Sequence, residues 1–189
     1  MNKLKKLRKL FKIYKLDGYI VPKNDEFFGE YIDDRDDRLN FISLFSGSTG
    51  YGLILKKRAY LFVDGRYTLQ AKKESNKNFK VIEIHKTKPS TILAKINQKL
   101  KIGFDPKLFS EASLVNNFQT KNTTMIPVEK NLVDRIWSNR SKVKINKFFV
   151  LDSKHAGKDY KSKINMICKI LKKRKINKLF ITAPENLAW

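Results

Sequence analysis

Leu4, Leu7, Leu10, Phe11 and Tyr14 recur at the spacing of one helical face, with lysines filling the other. This predicts an amphipathic helix of about four turns, expected to dock on the sheet that follows rather than on a membrane surface. A short apolar run at 18–21, stopped by Pro22, reads as a strand. The acidic stretch 24–37 reads as a loop leading into a short helix at 38–44. Ser46-Gly47-Ser48-Thr49-Gly50 is a turn signal, and the runs 51–55 and 60–63, joined by Lys56-Lys57-Arg58-Ala59, predict a hairpin.

Asp64 is placed to cap a helix over 66–75 with Leu69 on its buried side. Strands are then expected at 79–84, 101–104 and 124–128, and helices at 89–100, 110–120 and 131–137. The Pro at 89 suits the first turn of its helix. Such mixed alternation implies an α/β fold, a mixed sheet with helices on both faces. Residues 138–147 are polar, basic and aperiodic, so the expected division is a domain over 1–142 and a second over 143–189. The second opens with a strand at 148–151, a long amphipathic helix at 160–175, a strand at 178–182 and a helix start at Pro184. A strand–helix–strand unit of that size cannot bury a parallel sheet by itself, so the second domain is expected to be cut short.

Composition narrows the class. The chain of 189 residues is 41% apolar and 12% aromatic, enough for a real core. No apolar run reaches membrane-spanning length, and the basic N-terminus lacks the apolar core of a secretory signal. The single cysteine, Cys168, excludes an internal disulfide and fits a reducing compartment. A cytoplasmic location is expected. The net charge of +23 is large, but lysine greatly outnumbers arginine and the lysines are spread along the whole sequence. The acids cluster instead between Asp25 and Asp37. A generic solvated basic surface is therefore expected, with no nucleic acid and no membrane as partner.

Candidate chemistry is sparse. His85 and His155 lie far apart with no carboxylate at ligand spacing, and read as surface or strand-end residues. Asp33, Asp34, Asp36 and Asp37 lack the glycine and distal glutamate of a calcium loop, while Arg35 and Arg38 supply counter-charge. Gly47 to Gly50 lacks a phosphate-loop lysine. Cys168, among Ile164, Ile167, Ile170 and Leu171, reads as buried filler. Arg66 differs, because it follows a strand end and a glycine, where α/β folds often point side chains into a crevice. Its planar donor fork suits a carboxylate or peptide carbonyl, or else the nearby acidic loop.

Ordered blocks along the chain carry a family resemblance: DGYIVPKNDEFFGEYI from Asp17, RLNFISLFSGSTG from Arg38, FVDGRYTLQA from Phe62, GFDP from Gly103, IPVEKNLVDRIW from Ile126 and ITAPENLAW from Ile181. Together they resemble the N-terminal part of Xaa-Pro aminopeptidase (aminopeptidase P) across essentially the whole chain. Leu44, where that family usually has glycine, and Thr49, where alanine is usual, depart from it. The resemblance implies a creatinase-type N-terminal domain with a ribonuclease-H-like sheet, then the start of a second similar domain. It also implies a "pita-bread" catalytic domain beyond Trp189, with two divalent metals, manganese or zinc, held there by two Asp, one His and two Glu. None of those ligands carries over to this chain, so it is expected to hold no metal and no catalytic residue.

The residue that does carry over is Arg66 of the DGRY match, as a substrate-binding group. The implied function is the non-catalytic region of a metal-dependent aminopeptidase that removes a residue preceding proline, shaping substrate access and dimer contacts. The implied partners are a peptide with proline at its second position, the catalytic domain and a second copy in a homodimer. The alternative is a stand-alone binding or scaffold protein of the same fold.

Overall fold

The computed structural model describes residues 3–142 and 147–189. The chain divides into two compact units, residues 1–141 and 142–189. In the first unit the elements run α1 (Lys3–Ile13), β1 (Gly18–Pro22), α2 (Arg38–Ser43), β2 (Tyr51–Leu55), β3 (Ala59–Val63), α3 (Thr68–Glu74), β4 (Phe79–Glu83), α4 (Pro89–Ala94), β5 (Leu100–Phe104), α5 (Glu111–Phe118) and β6 (Thr123–Pro127).

The six strands form one sheet in the order β4-β3-β2-β1-β5-β6. β2 runs antiparallel to β1 and β3, while β3–β4, β1–β5 and β5–β6 are parallel. Every strand except β2 therefore ends at the same edge of the sheet. The central strands are buried on both faces, which is why they read as continuous apolar runs rather than as alternation.

Successive side chains still divide between two cores. Tyr19, Val21, Ile54, Leu61 and Val63 pack with α1, α2 and the segment around Leu132 and Val133. Ile20, Leu53, Tyr60, Phe62 and Ile102 face α4, α5 and Phe109. Leu4, Leu7 and Phe11 are the buried stripe of α1, so the amphipathic pattern at the N-terminus is a docking face. The α/β sheet flanked by helices stands as expected.

Several expected elements differ. α4 stops at Ala94 rather than near residue 100, because the Asn122 amide collects the Leu93, Ile96 and Gln98 carbonyls and turns the chain out of the helix. The expected helix at 131–137 is only a 3-10 turn at Asp134–Ile136. There the Asn131 side chain accepts from Val133 N at 2.9 Å and donates to Asp105 at 2.8 Å, holding a bend instead. Leu69 is exposed, not buried: α3 follows a 3-10 turn, and Tyr67 and Ala71 supply its inward face.

In the second unit the helices are α6 (Ser153–Ala156), α7 (Tyr160–Lys173) and α8 (Pro184–Ala188). The runs 148–151 and 178–182 are not strands. Among the described residues of this unit no strand is present to complete a ladder, and Phe148, Val150 and Phe180 stand exposed. Cys168 is exposed rather than buried, because few side chains cover the apolar stripe of α7. The buried position on that helix is Lys163, which donates to the Trp189 carbonyl at 2.7 Å and lies over its ring.

Candidate functional site

The turn Asp64-Gly65-Arg66-Tyr67 leaves β3 at the edge where five strands end. Asp64 adopts an extended backbone, and its Oδ1 accepts from Arg66 N at 2.9 Å and from Arg66 Nε at 3.0 Å. One carboxylate oxygen thus caps the turn and fixes the guanidinium. Its other oxygen lies 3.5 Å from Nε2 of His85. His85 arrives because β4 runs parallel to β3 with Val63 opposite Glu83, so the two chain exits leave side by side. The hydrogen bonds from Arg66 N and then Nε, with His85 adding to them, depress the Asp64 pKa to about 2.

Arg66 is 76% exposed, and Nε is its one engaged side-chain nitrogen. Among the described residues, neither terminal nitrogen has a partner. The guanidinium lies 5.7 Å from the Tyr67 ring centre. Tyr67 is itself held: its hydroxyl is 2.7 Å from Ser48 Oγ, and its ring meets Phe45 edge-on at 5.9 Å. The neighbouring loop is tied to α3 through Glu74 Oε2, which accepts from Ser46 N at 3.0 Å and Ser46 Oγ at 2.9 Å. The contacts from Ser46 outweigh burial and pull the Glu74 pKa down. A cleft of about 230 Å³ lies beside the turn, lined by Thr49, Tyr51, Asp64, His85 and Asn117 among others.

The arrangement presents a planar cationic fork on a rigid mount above a small cleft. Such a fork binds a carboxylate or carbonyl through two parallel hydrogen bonds. Among the described residues, no three His, Cys, Asp or Glu are grouped to hold a metal.

The remaining sequence candidates scatter. His155 and Cys168 are exposed in the second unit. The acidic loop is stitched to basic side chains rather than left as a cation site: Asp37 pairs with Lys23, and Asp36 with Arg140. Arg38 makes a bidentate pair with Asp134, at 2.8 and 2.9 Å, while still donating to the Asp36 carbonyl of the loop at 3.3 Å and lying 3.8 Å from its carboxylate. Sequence reasoning missed His85 and Ser48 as neighbours of Arg66. Only the parallel β3–β4 pairing and the loop before β2 reveal them.

Residues 3–136 match the family model described as "Creatinase/Prolidase N-terminal domain". The whole chain is 34% identical to a probable Xaa-Pro aminopeptidase P of Coprinopsis cinerea and 33% identical to aminopeptidase P1 of Lotus japonicus. It spans 32% and 30% of the length of those proteins. Among solved structures it resembles the X-prolyl aminopeptidase of Caenorhabditis elegans, described as a cytosolic enzyme with a di-nuclear active site. That match has 28% identity and a TM-score of 0.75, and covers 92% of this chain and 31% of that one. No described helix is long and apolar enough to cross a membrane. The chain belongs to the Creatinase/Prolidase N-terminal domain family and matches the N-terminal region of Xaa-Pro aminopeptidases.

Proposed function

We propose that this chain is the recognition-side region of a metal-dependent aminopeptidase that removes the residue preceding proline, and that Arg66 contacts the peptide. The observation that carries this reading is the Arg66 fork. Asp64 locks its Nε, while both terminal nitrogens face outward at the strand-end edge, where α/β sheets place ligand-binding groups. Arg66 then holds a backbone carbonyl or carboxylate of the peptide, Tyr67 supports the guanidinium from below, and Asp64 keeps it from folding back.

On this reading the catalytic metals, manganese or zinc, are held by residues outside this chain, in a domain that also supplies the nucleophile. The region further contributes to a homodimer contact and works in the cytoplasm. The 189-residue chain supplied with Mn²⁺ is expected to leave an Xaa-Pro peptide intact. Turnover by protease-free material would defeat the assignment.

In the longer enzyme, Arg66→Ala is expected to lower kcat/KM about 10- to 100-fold, the loss of one or two charge-assisted hydrogen bonds. The change should fall mainly on KM. Arg66→Lys should recover little, since an ammonium cannot make the bidentate contact. Unchanged kcat/KM for Arg66→Ala would remove Arg66 from the site.

A further inference from the structure

The lysines that look dispersed in sequence are gathered by the fold at the sheet edge opposite Arg66. At that edge β3 is preceded by Arg58, β4 by Lys77, β5 by Lys99 and β6 by Lys121. The antiparallel strand β2 breaks the chain-direction pattern in an informative way: its basic residue, Lys56, follows it, and so lies at the same edge. The basic charge thus tracks position on the sheet, not position before a strand.

Three neighbouring concavities of about 530, 460 and 640 Å³ run along this edge and share Ile96, Gln98, Lys57 and Arg58 between them. Asp17 is their single carboxylate. It is already used, accepting from Lys56 Nζ at 2.5 Å and from Lys101 N at 2.8 Å. Arg58, Lys77, Lys99 and Lys121 are exposed and make no ion pair among the described residues. The opposite edge differs, because there Lys107 meets Glu26 and Lys86 meets Glu83.

We propose that this edge is a docking groove for the phosphate backbone of a duplex nucleic acid, bound without sequence preference. Six strands at about 4.8 Å spacing make the row about 24 Å long, the length of about seven phosphates along one strand. The lining favours a duplex backbone over other polyanions. Tyr60 and Phe79, its two aromatic residues, are both buried, so no ring is free to stack an unpaired base. No large apolar side chain in the lining is exposed, so nothing is available to wedge into a lipid bilayer. A second copy is disfavoured by repulsion between chains of charge +23. The row is nearly all lysine, which suits phosphate contact rather than base reading.

The test is fluorescence anisotropy of the 189-residue chain with a labelled random-sequence DNA duplex of about 25 base pairs, titrated at several salt concentrations. Four free cations on phosphates give a log–log salt slope of about −3 to −4. The fourfold variant Arg58→Gln, Lys77→Gln, Lys99→Gln, Lys121→Gln should weaken binding at least tenfold and bring the slope toward zero. A matched variant at the other edge, Lys86→Gln, Lys88→Gln, Lys107→Gln, Lys130→Gln, removes the same charge and should bind nearly as the parent does. Circular dichroism of both variants checks that they are folded.

Equal weakening by the two variants would overturn the groove, since net charge alone would then explain the binding. So would absence of binding by the parent at low salt, or tighter association with phosphatidylserine vesicles than with the duplex.

Discussion

Leu44 shows how a single departure from a family pattern acquires a physical meaning. It closes α2 in the left-handed region, at φ 71°, with its N–H bonded to the Asn40 carbonyl at 2.7 Å. Glycine takes that conformation freely, whereas a side chain there costs about 1–2 kcal/mol. Leu44 is half exposed and so recovers only part of this through burial. Leu44→Gly is expected to stabilise the fold by about 1 kcal/mol, after the larger chain entropy of glycine in the unfolded state is counted. Chemical denaturation at fixed m-value measures it, and destabilisation would contradict the strain. Asp64 carries a second prediction at this scale. Its pKa is depressed to about 2 in the folded chain, below the unfolded value of about 3.9. The hydrogen bonds it makes to Arg66 are therefore fully present above about pH 4 and are lost as pH falls through about 2. A carboxyl carbon titration by NMR should find that midpoint, and a midpoint near 3.9 would mean that Arg66 is not locked.

At the level of elements, what was legible followed from what each segment buries. The strands of the first unit were readable because β1, β2 and β3 are apolar throughout, and α1 because its stripe of Leu4, Leu7 and Phe11 has a single period. The ends of α4 and the bend at 131–137 were not, because the Asn122 and Asn131 side chains that set them act on residues brought near only by the fold. Arg66 was found by its position after a strand and a glycine, but its locking needs the Asp64 geometry, and His85 beside it needs the β4 pairing. Arg38 is counter-charge for its own loop through Asp36, as its sequence position suggests, but its bidentate partner is Asp134, 96 residues away in sequence, which only the fold brings near. That pair and Arg140 fasten the acidic loop to the end of the first unit. Removing one partner strands a buried charge, so Asp134→Ala is expected to cost roughly 3 kcal/mol. Double replacement with Arg38→Met should recover much of it, and a thermal melt of the two variants decides whether the pair is coupled.

For the molecule as a whole, the two units bury very different shares of their apolar side chains. The first holds both cores, one on each face of the sheet. The second has Lys163 as its buried residue among those described, while Phe148, Phe149, Val150 and Phe180 are mostly exposed. A unit of residues 142–189 is also in the size range where a single core is marginal. Cooperative stability should therefore reside in residues 1–141. Truncation after Ser141 is expected to leave the melting temperature within about 3 °C of the parent, which corresponds to less than about 1 kcal/mol for a unit of this size. Hydrogen exchange gives the same contrast without truncation: amides of β1, β2 and β3 should exchange at the rate of global unfolding, and those of α7 orders of magnitude faster. Slow exchange throughout α7, or a large fall in melting temperature on truncation, would show that the second unit shares the stability of the first.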